Sequence, residues 1–169
     1  MAGARDVPSA LAGIARFGGE KLEGFEGECV EESLNAAGRS FTFTFVDVGN
    51  PHAVILSPWP LELVPLHEVG PRIETHGLFP HRANVEFVKV IDEHTAKVRV
   101  WERGVGETRA CGTGATATAV ALVRSGVCRS PVTVELPGGR LVVEVRPDWR
   151  VFMTGPAEEI YRGDLSREF

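Results

Sequence analysis

Alternating apolar and polar positions predict β-strands along most of this chain. The run that begins at Phe41 shows the pattern clearly, because aromatic residues alternate with small polar ones over eight positions. Short polar or glycine-containing segments separate such runs, and the one at 35–38 predicts a hairpin turn. The predicted strands cover residues 29–34, 41–48, 53–56, 84–91, 96–102, 132–136, 141–145 and 151–153, with a last short strand around 160–161.

Two segments have helical patterns instead. Apolar residues at helical spacing predict a helix over 63–76, which the Gly70-Pro71 pair is expected to kink or break. Residues 112–124 are small or aliphatic on nearly every face, which is typical of a helix that is buried all round. Gly126 is a suitable left-handed residue to end it. The predicted fold class is therefore α+β, with a strongly curved mixed sheet or barrel around one central helix.

The first residues have no sustained periodicity. We interpret residues 1–27 as a connector or N-terminal arm, and residues 28–169 as the folded lobe. The chain has 169 residues and a net charge of −5, without a basic run, which argues against a nucleic-acid partner. Neither a membrane span nor a signal peptide is evident, so a cytoplasmic location is expected.

The three cysteines are Cys29, Cys111 and Cys128. Their odd number and the absence of Cys-x-x-Cys spacing argue against a disulfide framework and against a zinc site, so reduced thiols are expected. Cys111 stands out, because it lies where a glycine-rich loop becomes the small-residue helix. Unpaired N–H groups and the helix dipole favour a thiolate there, which could act as a base or a nucleophile. The alternative is a cysteine packed as a small hydrophobic residue.

Other motifs around the cysteine fit less well. Residues 112–117 match the Gly-x-Gly-x-x-Ala nucleotide fingerprint, but a polar loop replaces the strand that should precede it. A phosphatase-type loop would need arginine at position 117, where this chain has Ala117. A cysteine hydrolase would need a histidine base, for which His52 is the candidate, although the sequence does not place it near Cys111. Asn50 and Asn84 alone are ordinary turn and strand-start residues.

Three motifs in order resemble the C-terminal half of the diaminopimelate epimerases. They are Gly49-Asn-Pro-His-Ala-Val54, Asn84-Val-Glu-Phe-Val88 and Trp101-Glu-Arg-Gly-Val-Gly-Glu-Thr-Arg-Ala-Cys-Gly-Thr-Gly-Ala115. The resemblance extends from about residue 30 to the C-terminus. It implies a fold of two pseudo-symmetric lobes, each with strands curled around a helix. It also implies conversion of L,L-diaminopimelate to the meso form in lysine and peptidoglycan precursor synthesis, by two cysteines on opposite lobes, without a cofactor or metal.

The resemblance also implies roles for individual residues. It makes Cys111 the acid/base of this lobe, with Glu102 and His52 assisting the thiols. The substrate-binding residues that it implies are Asn50, Asn84, Glu102, Arg103, Gly112 and Thr113. Gly112 and Thr113 would contribute N–H donors, and the fork of Arg103 suits a carboxylate. The sequence departs from the family at Trp101, where tyrosine is usual, and at Thr116, where a cysteine is frequent.

A larger departure is that the motifs of the N-terminal lobe, including the one that carries the second cysteine, do not occur in this sequence. The hypothesis is therefore one lobe of an epimerase, inactive alone, which pairs with a missing lobe or self-associates through its exposed face. Whether the chain is itself an enzyme stays open. Two alternatives are half of a related cofactor-independent isomerase and a non-catalytic assembly lobe.

Overall fold

The computed structural model describes residues 5–6, 10–18, 22–24 and 27–163. Its helices are α1 (Leu66–Glu74) and α2 (Gly112–Arg124), and one 3₁₀ turn, Leu61–Leu63, precedes α1. Its strands are β1 (Arg5–Asp6), β2 (Ala10–Ile14), β3 (Glu32–Ala36), β4 (Arg39–Asp47), β5 (Pro51–Leu56), β6 (Asn84–Asp92), β7 (Thr95–Glu102), β8 (Gly106–Thr108), β9 (Val132–Leu136), β10 (Gly139–Val145), β11 (Arg150–Thr154) and β12 (Pro156–Ala157).

Ten of the strands in the described part of the chain form one mixed sheet. Its order is β2-β11-β10-β9-β7-β6-β5-β4-β3, with β8 paired to β7. The pairs β5–β6 and β7–β9 are parallel. The sheet is not closed, but Arg16 and Asp47 form a bridge through two backbone hydrogen bonds of 2.9 and 2.8 Å. This bridge joins the segment after β2 to β4, which lies near the other end of the sheet, so the sheet curves back on itself.

Helix α2 lies inside this curve. It packs against β4, β5, β6, β7, β9, β10 and β11, and every residue from 114 to 122 is buried. Small side chains allow the sheet to approach the helix closely from several sides, which is why the helix lacks an amphipathic pattern. It begins and ends at the predicted residues, and Gly126 has the left-handed φ of +71° that was expected after it. The predicted α+β fold with a curved sheet around a buried helix is confirmed.

Helix α1 covers a second apolar core, on the side of the sheet formed by β3 to β6. Val69 and Ile73 are fully buried there among phenylalanine rings. The helix is shorter than the predicted 63–76, and it does not break at Gly70-Pro71, because Pro71 lies inside a continuous helix. Burial of the apolar face outweighs the one hydrogen bond that proline cannot donate. Gly70 meets the ring of Trp101 so closely that a Cβ atom would lie 2.7 Å from Trp101 Cδ2.

The two ends of the chain differ from the sequence pattern. Strand β2 pairs with β11 at the edge of the main sheet, although no strand was predicted before residue 29. The predicted strand at 160–161 is absent: Ile160 and Tyr161 are 91% and 84% exposed, and the last strand of the described residues is β12, paired with β1. No helix within the described ranges is long and apolar enough to span a membrane.

Candidate active site

The sulfur of Cys111 lies at the start of α2. Cys111 is the N-cap residue, with extended backbone, and its sulfur accepts a hydrogen bond from the Gly114 N–H at 3.3 Å. The Thr113 hydroxyl lies 3.6 Å from the same sulfur. Cys111 is 7% exposed, and it lines an open cleft of about 440 Å³. The residues around this cleft are Glu102, Ala110, Cys111, Gly112, Thr113, Thr116 and Met153.

Burial raises the pKa of the Cys111 thiol above its ordinary value. Hydrogen bonds from Thr113 and Gly114 act in the opposite direction, and the carboxylates of Glu86 and Glu102 raise the pKa further. The hydrogen-bond donors at this helix start lower the pKa of Cys111, as the sequence predicted for its N–H groups, but desolvation has the larger effect and raises it. Burial at this position thus opposes loss of the thiol proton.

Two residues on the strand and loop before α2 supply the charges. Glu102 ends β7, lines the cleft and accepts a hydrogen bond from the Thr108 hydroxyl. Arg103 follows it, with an exposed side chain whose Nη1 donates to the His81 carbonyl at 2.9 Å. The Glu102 carboxylate thus lies at the cleft, while the Arg103 guanidinium is hydrogen-bonded to the backbone carbonyl of His81.

The parallel pairing of β5 and β6 explains why distant polar residues meet. In this register His52 lies opposite Asn84, and Val54 lies opposite Glu86. Asn84 is buried, and its amide group joins two backbone segments: Nδ2 donates to the Pro51 carbonyl at 3.0 Å, and Oδ1 accepts from the Arg103 N–H at 2.9 Å. Asn84 therefore fixes the loop that carries Arg103 relative to the start of β5.

His52 is fully buried and connects the strands to the cleft. Its Nδ1 lies 2.7 Å from Glu86 Oε1, and its Nε2 lies 3.1 Å from Asn50 Oδ1. The Asn50 Nδ2 in turn donates to the Thr113 hydroxyl at 3.3 Å. A continuous set of contacts thus extends from the interior of the sheet to the helix start beside the Cys111 sulfur.

Glu86 is the polar residue of this site that the sequence analysis missed. It is fully buried, burial raises its pKa, and the nearby His52 lowers it. Its Oε2 atom has no hydrogen-bond partner among the described residues. The signal in the sequence was a glutamate inside the otherwise apolar strand segment Val85-Glu-Phe-Val88, since an acidic residue is seldom fully buried without a partner.

The loop between β7 and β8, which contains Arg103, is held by a second buried acid, Glu74. Its Oε1 accepts the Gly104 N–H at 2.9 Å and Arg82 Nη1 at 3.4 Å, and its Oε2 accepts the Trp101 indole N–H at 2.8 Å. Trp101, the departure from the usual tyrosine, is thus anchored through its ring nitrogen. The loop position depends on α1, because Glu74 is its last residue.

The other two thiols lie away from the cleft. Cys29 is fully buried beside the aromatic core, and burial raises its pKa to about 12. Cys128 follows the end of α2, and its Sγ contacts the Asp92 carbonyl at 3.7 Å. The site in the described residues therefore contains one thiol. It joins Asn50, His52, Glu102, Gly112 and Thr113, while Asn84 and the Arg103 side chain contact backbone groups nearby.

Comparison with known proteins gives consistent matches to one family. The profile of the diaminopimelate epimerase family matches residues 44–160. The diaminopimelate epimerase of Stutzerimonas stutzeri is 49% identical over 141 residues, which are 83% of this chain and 51% of that protein. Those of Pseudomonas paraeruginosa and Azotobacter vinelandii are 47% and 48% identical over the same length, with the same shares covered. The chain thus spans about half the length of the curated relatives it matches.

Among solved structures, a predicted epimerase from Pseudomonas aeruginosa is similar in fold. It aligns with a TM-score of 0.52 and 18% sequence identity, over 94% of this chain and 62% of that one. The structural similarity supports the fold, and the profile match and sequence identities support the assignment to a family. The chain belongs to the diaminopimelate epimerase family.

Proposed function

We propose that this chain supplies one half of the active site of a diaminopimelate epimerase, with Cys111 as one of its two acid/base residues. The observation that carries the proposal is the position of the Cys111 sulfur, at the first turn of α2 and on an open cleft that Glu102 also lines. The family profile matches residues 44–160, which include this turn, and this supports the proposal.

The chemical difficulty in this reaction is the carbanion that forms when the α-proton leaves. No electron-accepting cofactor is needed if hydrogen-bond donors stabilise the charge that develops on the substrate carboxylate. Gly112 and Thr113 open α2, where backbone N–H groups have no partner within the helix and the helix dipole favours a negative charge. They are the proposed donors.

The remaining polar residues bind and orient the substrate in this proposal. The ammonium and carboxylate groups contact the amides of Asn50 and Asn84, and the Arg103 guanidinium exchanges the His81 carbonyl for a substrate carboxylate. Glu102 and His52 assist proton transfer at the thiol. In this proposal the Cys111 thiol returns a proton to the substrate in one direction of the reaction, and its thiolate removes that proton in the other.

The second acid/base must come from outside the described residues. Cys29 and Cys128 lie in other parts of the fold, and neither lines the cleft. Inversion at a carbon needs groups on both faces of that carbon, so the proposal requires a second lobe that closes over the mouth of α2. The partner is a complementary N-terminal lobe, or a second copy through the same face.

The test is α-proton exchange of L,L-diaminopimelate in deuterated water, followed by NMR. The chain alone is expected to give no exchange, and mixing it with the missing half of the Stutzerimonas stutzeri relative is expected to restore it. Cys111→Ala should abolish the restored activity, whereas Cys128→Ala should retain it. Exchange by the chain alone at the rate of an intact epimerase, or restored exchange that survives Cys111→Ala, would refute the proposal.

Labelling with an aziridine analogue of diaminopimelate separates catalysis from a purely structural lobe. A formed substrate pocket should make Cys111 react faster with the analogue than with iodoacetamide. Equal rates for the two reagents would support a non-catalytic assembly lobe instead.

A further inference from the structure

Five side chains form one hydrogen-bonded chain from the interior of the sheet to the candidate thiol. The contacts are Glu86 Oε1 to His52 Nδ1 at 2.7 Å, His52 Nε2 to Asn50 Oδ1 at 3.1 Å, Asn50 Nδ2 to Thr113 Oγ1 at 3.3 Å, and Thr113 Oγ1 to Cys111 Sγ at 3.6 Å. The first two members are fully buried. The family resemblance assigns roles to the other four residues, but none to Glu86.

The hydrogen bonds between Asn50, Thr113 and Cys111 all run in one donor-to-acceptor direction. Asn50 Nδ2 donates to the Thr113 oxygen, so that hydroxyl keeps its own proton for the Cys111 sulfur. The same orientation of the amide turns Asn50 Oδ1 toward His52. Since an amide oxygen only accepts, His52 Nε2 must carry a proton. Every hydrogen bond in this stretch then points toward the thiol.

Glu86 explains why His52 Nε2 stays protonated. A fully buried pair is least costly when its net charge is zero, because an uncompensated charge there has neither water nor a counter-ion. A proton on Glu86 Oε2 would be a buried donor without a partner among the described residues. The neutral pair therefore holds one proton between Nδ1 and Oε1 and another on Nε2, whichever atom of the short contact binds the first. A neutral residue in place of Glu86 would permit the tautomer protonated on Nδ1 alone, with a bare Nε2.

We propose that Glu86 is a positioning residue: by keeping His52 Nε2 protonated, it fixes the Asn50 amide and turns the Thr113 hydroxyl toward Cys111. This inference rests on the proposed role of Cys111 as an acid/base. Glycine at position 114 gives these side chains the space they need. A Cβ atom there would lie 3.0 Å from Glu86 Oε1 and 3.2 Å from the Cys111 sulfur.

The first experiment is the pH dependence of alkylation at Cys111, measured by mass spectrometry of its peptide in the wild type and in Glu86→Gln. Glutamine permits the tautomer with a bare Nε2, so the hydrogen bonds toward the sulfur lose their fixed direction and the thiolate loses a donor. The pKa of Cys111 should therefore rise, and the thiolate fraction at a fixed pH should fall about tenfold. If Glu86 acted only as a nearby negative charge, its removal would lower the pKa of Cys111 instead. A lower or unchanged pKa would therefore overturn the proposal.

A double-mutant cycle tests whether Glu86 acts on Cys111 through the hydrogen-bonded side chains between them. Thr113→Val removes the final donor and should raise the pKa of Cys111 by a similar amount, and adding Glu86→Gln should then raise it no further. Independent, additive rises would overturn the proposal. Thr118→Val is the matched control, because Thr118 is another buried hydroxyl of α2, without a hydrogen-bond partner among the described residues. A rise in that variant would also overturn the assignment.

One measurement needs no variant and no substrate. Nitrogen-15 NMR of the wild-type chain should show His52 Nε2 protonated, and a bare Nε2 at neutral pH would overturn the inference even if Glu86→Gln failed to fold. These results are independent of the exchange assay. Failure of proton exchange with a protonated Nε2 would remove the proposed function and leave the hydrogen-bond chain in place.

Discussion

Replacing Glu74 by glutamine tests whether a buried carboxylate holds the loop that carries Arg103. Glu74 is 5% exposed and accepts hydrogen bonds from the Gly104 N–H and the Trp101 indole N–H. Glutamine has nearly the same shape but only one acceptor oxygen, so one of these two donors must face an NH₂ group. Glu74→Gln should therefore destabilise the fold and release the loop.

The magnitude follows from the two short contacts, 2.9 Å to Gly104 and 2.8 Å to Trp101. A hydrogen bond to a charged group contributes about 1.5–3 kcal/mol, and an unpaired buried donor costs a similar amount. The contact with Arg82 adds little, because the arginine side chain is 59% exposed. We expect the free energy of unfolding to fall by about 2–3 kcal/mol, since one of the two strong hydrogen bonds is lost.

Urea denaturation gives the free energy of unfolding, and hydrogen exchange of the Gly104 amide reports on the loop. The melting temperature should fall by about 5–10 °C for a chain of this size. Glu68→Gln is the matched control on the same helix, because Glu68 is exposed and pairs with Arg39 only at 4.0 Å; its effect should stay within about 0.5 kcal/mol. A loss below about 0.5 kcal/mol for Glu74→Gln, with unchanged protection of Gly104, would refute the reasoning.

Three further substitutions test the packing of two glycines and the burial of Cys29. Gly70→Ala should destabilise by about 1–2 kcal/mol in thermal melts, because overlap with Trp101 at 2.7 Å outweighs the better helix propensity, and a gain in stability would contradict this. Gly114→Ala should slow alkylation of Cys111 roughly twofold to tenfold, because the new Cβ would lie 3.2 Å from its sulfur; an unchanged rate would show that the thiol can move freely. For Cys29, burial raises the pKa from 9.0 to about 12, so the folded state holds this proton more tightly than the unfolded state, and stability that is complete below pH 9 should be lost toward pH 12. The stability difference between the wild type and Cys29→Ala, from urea titrations, should shrink over that range, and a constant difference would contradict the assignment.

The elements with a clear period were predictable from the sequence. Helix α2 begins and ends where its run of small residues does, and β6 and β7 lie within a few residues of their predicted bounds. Strand β2 was not predictable, because its pairing with β11 depends on a partner more than a hundred residues away. The continuity of α1 through Pro71 was hidden for a similar reason, since burial against the aromatic core decides it.

The candidate site was partly predictable. The motif around Cys111 placed the thiol at the helix start, but its raised pKa depends on burial and on carboxylates from other strands. The meeting of His52 and Glu86 depends on the parallel register of β5 and β6, which the separation of these residues along the chain does not reveal. The contact between Glu74 and the loop that carries Arg103 was not predicted either. A glutamate at the end of a helix is ordinary unless the position of that loop is known.

The crowded surroundings of α2 limit which sequences can preserve this fold. Residues 114–122 are all buried, so substitutions there are limited to side chains of similar volume. This limit applies whether or not a homologue keeps its activity. A distant homologue that has lost its thiol should still retain this tract of small residues. The tract then identifies shared ancestry of the architecture, whereas the cysteine before it bears only on the proposed chemistry, and the two can be inherited separately.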